Sequence, residues 1–383
     1  MKPSDLTVII IGLGPRGLGV ALRLLDAGYR VIGIDPNPLQ TWSSLQLINS
    51  MDMRSPTSFD LVSLCSKDIR NTYSLNRYIS IYEDYKTYRD YEECNHYVSR
   101  DVFYSYINYL YKVYILGNNN FTLQEDRVIE IKYNQVRLSS NKVIAGNRIV
   151  IASGPGYKRI VPPWVNNSQV NVKLLGYQQI LKEPPVGKVI LVCGGGQAGA
   201  EYTKYLVDKG NYVYWVVRDK TIKVQQYPIP TYKDWQAKSC FSDFYRQLTI
   251  DPKHQIDYLE KVKAWGPSIT PNINEELQSI KDGYTIVKEY DRTYNLSNLI
   301  KECDGIVLCT GFNISISALP INDHLELDSR SGRYPLLKSG FKASNGHYYT
   351  GVLATLYDGP RQNSLFSIGL TSQEILEDIN KSL

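Results

Sequence analysis

Apolar residues fall along this chain in two rhythms, and one composite pattern of them occurs twice. Val8 to Ile11 are four consecutive β-branched residues, followed by glycines at positions 12, 14 and 17. Apolar residues then recur at helical spacing at Leu18, Ala21, Leu22 and Leu25 before a second apolar run, Val31 to Ile34, ends on Asp35. An unbroken short apolar run reads as a strand buried on both faces, and the spaced set reads as a helix with one buried stripe. The stretch therefore predicts strand, glycine turn, helix, strand and acid. Val189 to Cys193 opens the same sequence again, with Gly194, Gly196 and Gly199, a helix to about Asp208 and a strand over Tyr212 to Val217. This second copy ends on Arg218 instead of an acid.

Between the copies, Ser99-Arg100-Asp101 opens a predicted helix over Val102 to Tyr114 in an aromatic-rich stretch. Twelve of the 31 tyrosines lie between Tyr73 and Tyr114, and their irregular spacing reads as packing. Short strands are expected at Phe121–Gln124, Arg127–Tyr133, Gln135–Leu138 and Arg148–Ala152, forming an antiparallel meander that crosses back to the sheet. Two further apolar runs end in a small residue and glycine: Ile149 to Gly154, and Cys303 to Phe312. A strand is expected at Tyr284–Glu289 and a last helix from about Leu365 to Ile379.

Each part of the repeated pattern has a physical role. The first glycine allows a tight turn, the second lets backbone approach a pyrophosphate, and the third lets helix and strand pack closely. The helix start offers free N–H groups and a positive dipole end to phosphate. Candidate cofactor contacts are therefore Gly12, Gly14, Pro15, Arg16 and Gly17 in the first copy, and Gly194, Gly196, Gln197, Ala198 and Gly199 in the second. Asp35 suits ribose hydroxyls. Arg218, with Lys220 and Lys223 nearby, suits a ribose 2′-phosphate. Ser153, Gly154, Thr310 and Gly311 close the paired strands. The expected fold is α/β: two Rossmann-like dinucleotide-binding domains, the FAD domain discontinuous (1–160 and 303–383) and an NADP domain (186–302) inserted. FAD and NADPH are the expected cofactors.

Composition changes little in this picture. The chain has 383 residues, 43% hydrophobic and 21% charged, with a net charge of +5, too mild to argue for nucleic acid. No apolar run approaches the ~20 residues of a membrane span, and the start of the chain shows no signal peptide, so a cytoplasmic location is expected. The six cysteines form no C-x-x-C pair, and four scattered histidines suggest no metal site. A homo-oligomer remains compatible with all of this.

The order of these pieces resembles the two-dinucleotide-binding-domain flavoproteins. Within them it resembles flavin-dependent monooxygenases, including ornithine and lysine N-hydroxylases and FMO-like relatives. The resemblance rests on both glycine loops, M-D-M-R-S-P-T-S (Met51 to Ser58), S-R-D-V-F-Y-S-Y-I-N-Y-L (Ser99 to Leu110), D-G-I-V-L-C-T-G-F and D-G-P-R-Q-N-S-L-F-S (Asp358 to Ser367). It implies Gln46 and Arg54 near the flavin ring as catalytic groups, Trp42 along the cofactor, Val128 by the adenine, and Gly359 and Pro360 against the flavin. It implies NADPH-dependent hydroxylation of a small amine or sulfide with O₂ through a flavin hydroperoxide. Two departures stand out. Met51 occupies the place of the N-hydroxylases' carboxylate-holding lysine, and the FMO-type F-x-G-x-x-x-H reads L-L-G-Y-Q-Q-I here, Leu174 to Ile180. A reductase passing electrons to a quinone or ferredoxin, and a non-catalytic flavoprotein, are the competing readings.

Overall fold

A computed structural model describes residues 2–39, 51–82, 97–154, 159–166, 173–218, 222–225, 268–280, 282–289, 295–312, 315–359, 362 and 364–382. Thr7–Ile11 is β1, buried on both faces from Val8 onward. Pro15–Asp26 is α1, with Gly14 as N-cap and Pro15 at the first helical position, where a missing N–H costs nothing. Leu18, Ala21, Leu22 and Leu25 are buried as expected, but so are Gly19, Val20, Arg23 and Leu24, so the helix is enclosed on all faces. Arg30–Ile34, β2, returns parallel to β1 with Val8 opposite Val31. Asp52–Pro56 (β3) and Tyr97–Ser99 (β4) pair antiparallel, and α2, Leu75–Tyr82, lies between them in sequence.

The next helix, α3, spans Arg100–Leu110, and the Ser99 hydroxyl accepts from the Val102 N–H at 3.4 Å. It runs on as a π-helical turn, Tyr111–Leu116, where the pattern predicts one continuous helix. Tyrosine rings pack across α2, α3 and this turn: Tyr78 meets Tyr82, Tyr106 and Tyr109 at 5.0, 5.9 and 5.4 Å between centroids, and Tyr114 meets Tyr73 and Tyr109 at 4.9 and 5.8 Å.

Phe121–Gln124, β5, departs from expectation. It is parallel to β2 at the edge of the main sheet and outside the meander. Gly33 accommodates it: a Cβ there would lie 2.8 Å from the Phe121 ring, so the missing side chain makes room for it. The meander is β6 (Val128–Lys132), β7 (Gln135–Leu138) and an additional strand, β8 (Val143–Ala145). Arg148–Ile151, β9, then pairs parallel to β1.

A second sheet follows, with β10 (Lys173–Leu174), β11 (Val189–Cys193), helix α4 (Gln197–Asp208) and β12 (Tyr212–Val217). Lys223–Val224 (β13) and Ser268–Ile269 (β14) make a short parallel pair before helix α5, Pro271–Ser279. Tyr284–Lys288 is β15 and Gly305–Leu308 is β16. The second sheet is wholly parallel, in the order β10-β16-β11-β12-β15. The sequence boundary at residue 303 therefore needs correction. β16 is buried at all four residues between β10 and β11, and Asp304 accepts from the Val189 N–H at 2.9 Å.

The chain rejoins the first sheet through β17 (Leu337–Lys338), β18 (Lys342–Ala343) and β19 (Tyr348–Tyr349), giving the order β17-β18-β19-β9-β1-β2-β5. The last helix, α6 (Ile368–Lys381), packs along α1, with Ile368 facing Gly19. The fold is a mixed α/β arrangement built on two largely parallel sheets.

Two buried titratable groups set opposing pH dependences. His347 is 1% exposed, with Nε2 3.1 Å from Asp323 Oδ2. Burial lowers its pKa below 6.5, outweighing the pull of Asp323. The unfolded chain therefore protonates first, and this group's stability is lost as pH falls through 6.5. Asp60 accepts from the Val62 and Leu75 N–H groups, both at 2.9 Å, yet burial raises its carboxyl to about 6. Its folded form takes up the proton first, so it adds stability as pH falls from about 6 toward 3.8. In urea titrations across this range, His347→Asn is expected to flatten the acid loss of stability and Asp60→Asn to steepen it.

Candidate functional site

The two glycine loops have almost the same geometry. A Cβ on Gly17 would stand 1.9 Å from the Gly12 carbonyl oxygen, and one on Gly199 would stand 1.9 Å from that of Gly194. Gly12 and Gly194 turn with φ of 93° and 125°. A Cβ on each would meet the end of the neighbouring strand, at Ala152 O (2.7 Å) and Cys309 O (2.3 Å). In both units a helix start is thus pressed against the strand before it, and a second strand end closes the turn. Gly14 and Gly196 are the extended N-caps. The first-turn N–H groups beyond them have no partner within the helix. Pro15 contributes none, so the first loop offers Arg16 and Gly17, and the second offers Gln197, Ala198 and Gly199.

The loops are fastened differently. Asp35 Oδ2 accepts from the Leu13 N–H at 2.8 Å and Oδ1 from the Asn37 N–H at 2.9 Å. In the second loop the Trp215 indole donates to Gly194 O at 2.8 Å. Register refines the comparison of the two strand ends. Gly12 N donates to Ile34 O and Gly194 N to Val216 O, both at 2.8 Å. Val217 is therefore the counterpart of Asp35, and Arg218 lies one residue further on, exposed.

Arg16 has a role that its position in the loop did not reveal. Its guanidinium donates to Gln362 Oε1 (3.1 Å), Ser364 O (2.9 Å) and Ser367 Oγ (3.0 Å), and also to Gln362 O. Enclosure lowers its pKa to about 10, against the pull of Asp358. Gln362 continues the network to Asp358 (2.6 Å) and Thr371 (2.8 Å), all three fully or almost fully buried. The first glycine loop and the segment after Gly359 are thus one hydrogen-bonded body. The D-G-P-R-Q run marked the segment in sequence, but nothing marked Arg16 as its partner.

The remaining candidates divide. Ser153 Oγ is buried without a hydrogen-bond partner among the described residues, beside the Gly12 turn, as are Thr57 Oγ1 and Ser58 Oγ after β3. A polar ligand would satisfy such atoms. Gly154 is exposed with φ 76°. Thr310 and Gly311 bond the linker: the Thr310 hydroxyl donates to Ile160 O, and Ile160 N donates to Gly311 O at 3.1 Å. The Gln197 side chain is also committed, donating to Glu201 at 2.8 Å and accepting from the Thr270 N–H at 2.7 Å, which leaves its backbone N–H for a ligand. Val128 is half-buried where the β6 register shifts. Arg54 is exposed on β3 in a recess where desolvation lowers its pKa, and Tyr97 and Glu201 lie close enough to raise it. Gly359 turns with φ 83° after the buried Asp358. Trp42, Gln46, Lys220 and Pro360 lie outside the described residues.

Glycine loops that press a helix start to a strand end, on two largely parallel sheets, give an α/β fold similar to that of flavin monooxygenases. The L-lysine 6-monooxygenase/L-ornithine 5-monooxygenase family matches residues 4–256, and the chain belongs to it. Solved structures agree in fold. They include a cadaverine monooxygenase of desferrioxamine biosynthesis from Erwinia amylovora bound to FAD (TM-score 0.74, 18% identity, 98% of this chain and 94% of that one). The ornithine hydroxylase of Pseudomonas aeruginosa gives a TM-score of 0.74 at 14% identity, over 98% of this chain and 99% of that one. The L-lysine 6-monooxygenase of Pseudomonas syringae gives 0.72 at 17%, over 99% and 100%. A curated ferredoxin–NADP reductase of Rickettsia massiliae is 25% identical over 201 residues, 51% of this chain. The chain spans about half the length (52%) of that curated relative.

Replacing Arg16 by Met removes every guanidinium donor, including those to Gln362 O and Oε1, while Ser364 O keeps the Ser367 hydroxyl at 3.3 Å. The expected cost is on the order of 3 kcal/mol. Thermal unfolding should show the loss, and limited proteolysis should begin beyond Gly359. Unchanged stability would mean that water replaces the clasp.

Proposed function

We propose that this protein is an FAD-dependent, NADPH-using monooxygenase that hydroxylates an amine on a small substrate. The observation carrying this reading is the pair of matched glycine cradles in a chain of the lysine/ornithine monooxygenase family. On this reading the unit built on β1 and resumed from β17 onward is the FAD domain, and the sheet from β10 to β16 is the inserted NADP domain. Gly12, Gly14 and Gly17 admit the FAD pyrophosphate, Asp35 accepts from the ribose, and Ser153 and Gly154 close the same cradle. Val128 borders the adenine. Gly194, Gly196 and Gly199 admit the NADPH pyrophosphate, and Arg218 grips its 2′-phosphate. Bound FAD supplies a hydride acceptor and the chemistry that activates O₂. The protein's share is placement, exclusion of water and orientation of charge, with Arg54 supplying a cation at the recess beside β3. Trp42, Gln46, Lys220 and Pro360 complete the proposed contacts from outside the described residues.

The test is O₂ consumption by the purified yellow protein with NADPH, with and without lysine, ornithine or cadaverine. One of these amines is expected to raise consumption and leave a hydroxylamine product. Rapid ferredoxin or quinone reduction with no amine-dependent O₂ use would establish the reductase reading instead. A flavin that NADPH does not reduce would favour a non-catalytic flavoprotein.

Cofactor choice gives a separate prediction. Arg218→Ala loses charge-assisted hydrogen bonds to the 2′-phosphate, about 1.5–3 kcal/mol, or roughly 10- to 150-fold in kcat/KM for NADPH. The NADH value should stay nearly constant. Equal losses with both cofactors would assign Arg218 a structural role.

A further inference from the structure

Arg100 opens α3, and its backbone N–H donates to Met51 O at 3.1 Å, tying the helix start to β3. From there the side chain crosses to the other unit. Arg100 Nη2 donates to both carboxylate oxygens of Glu201, at 2.6 and 2.7 Å, across 101 residues of sequence. Glu201 sits one turn into α4, with its side chain 3% exposed; that of Arg100 is 17% exposed. Glu201 Oε1 also accepts from Gln197, the first residue of that helix, and Gln197 bonds Thr270, the N-cap of α5. Three further contacts join the same faces. The Asn272 amide donates to Asp52, Gln225 Nε2 donates to Arg54 O at 3.4 Å, and Met51 packs into the core of the second unit.

Local stability does not explain this pair. A cation in the first turn of α3 opposes the helix dipole. A carboxylate buried inside α4 carries a desolvation penalty that its partner rarely does more than offset. Removing one partner of such a pair leaves an uncompensated buried charge, so the two side chains stay together or the faces they join must part.

We infer that the Arg100–Glu201 pair is a positioning latch that holds the start of α4 at a fixed distance and angle from β3 and β4, and so aligns the nicotinamide with the flavin for hydride transfer. This rests on reading α4 as the NADPH-binding helix. Neither residue touches the reacting atoms; both act through the glycine loop that Gln197 follows.

The experiment is anaerobic stopped-flow flavin reduction by NADPH and by 4-deuterated NADPH, with wild type, Glu201→Gln, Arg100→Met and the charge-free pair Arg100→Met/Glu201→Met. Rates are taken per bound flavin. All three variants should retain FAD and bind NADPH within about threefold of wild type. Limiting reduction should slow by about 10- to 100-fold, with a larger deuterium effect as alignment becomes limiting. A purely structural pair would lower stability or flavin content and leave the rate per bound flavin unaltered; that result in the soluble variants overturns the latch. The double variant removes both buried charges, so it stays informative if a single variant misfolds. Wild-type flavin that NADPH fails to reduce would overturn the reading of α4 as the helix that binds NADPH for hydride transfer, and the latch with it. Slowed reduction in the variants with a competent wild type supports both.

Discussion

A helix can begin within van der Waals contact of the strand that precedes it only if no side chain stands between them. That constraint governs this protein twice, at Gly17 over Gly12 and at Gly199 over Gly194. A single methyl group at Gly17 or Gly199 would overlap backbone that cannot withdraw, because β1 and β11 are held by parallel neighbours on both sides. The close approach also aims the helix starts. It brings first-turn N–H groups to the ends of the sheets, at the crevice where open α/β sheets receive ligands. The sheet order, the strand ends at Ala152 and Cys309, and the C-terminal segment are then arranged around these two points.

The first loop is part of a larger rigid body. Arg16 lies in the turn between the glycines, but its guanidinium binds a segment about 350 residues away in sequence, at Gln362, Ser364 and Ser367. The loop is thereby tied to the chain after Gly359, and α6 behind it packs along α1. The second loop has no such clasp among the described residues. It is fastened from within its own sheet by Trp215. Its tie to the first unit runs through Glu201, one turn further along α4. One cradle is thus fixed in the body of the molecule, and the other is held against it by a small set of polar contacts.

The residues that show which features can be read from sequence are few. β1, α1, β2 and their repeat were legible because the signal is local: a run of β-branched residues, glycines at fixed offsets and a helical stripe within 28 residues. β16 was legible as a strand but not as a member of the second sheet, since a fully apolar run fits any buried slot. What placed it was Asp304 capping Val189 and the gap between β10 and β11. β17, β18 and β19 are two residues each and too short to show a period. Arg16 was singled out for its place in the loop, and its actual partners were invisible because they lie at the opposite end of the chain. Arg100 and Glu201 each look like ordinary helix charges until the fold brings them together.

The difference between the two strand ends is best understood through the loop fastening. Asp35 does not simply wait for a ribose. One oxygen already holds the Leu13 N–H and the other the Asn37 N–H, so the acid orders the turn that it serves. Remaining lone pairs on both oxygens can still accept from hydroxyls. In the second unit the equivalent register position is Val217, whose side chain can accept nothing, while its backbone carbonyl accepts from the Glu289 N–H at 2.9 Å. Its branched side chain instead lies 3.4 Å from where a Cβ on Gly195 would stand, packing the turn by contact. The second turn thus carries no acid at this position, and the indole of Trp215 fastens the loop through Gly194 O with a neutral donor. Arg218, one residue later, stands exposed. An acid-to-arginine exchange at Asp35 alone would not reproduce this arrangement, because it would remove the fastening of Leu13 without supplying a Trp215.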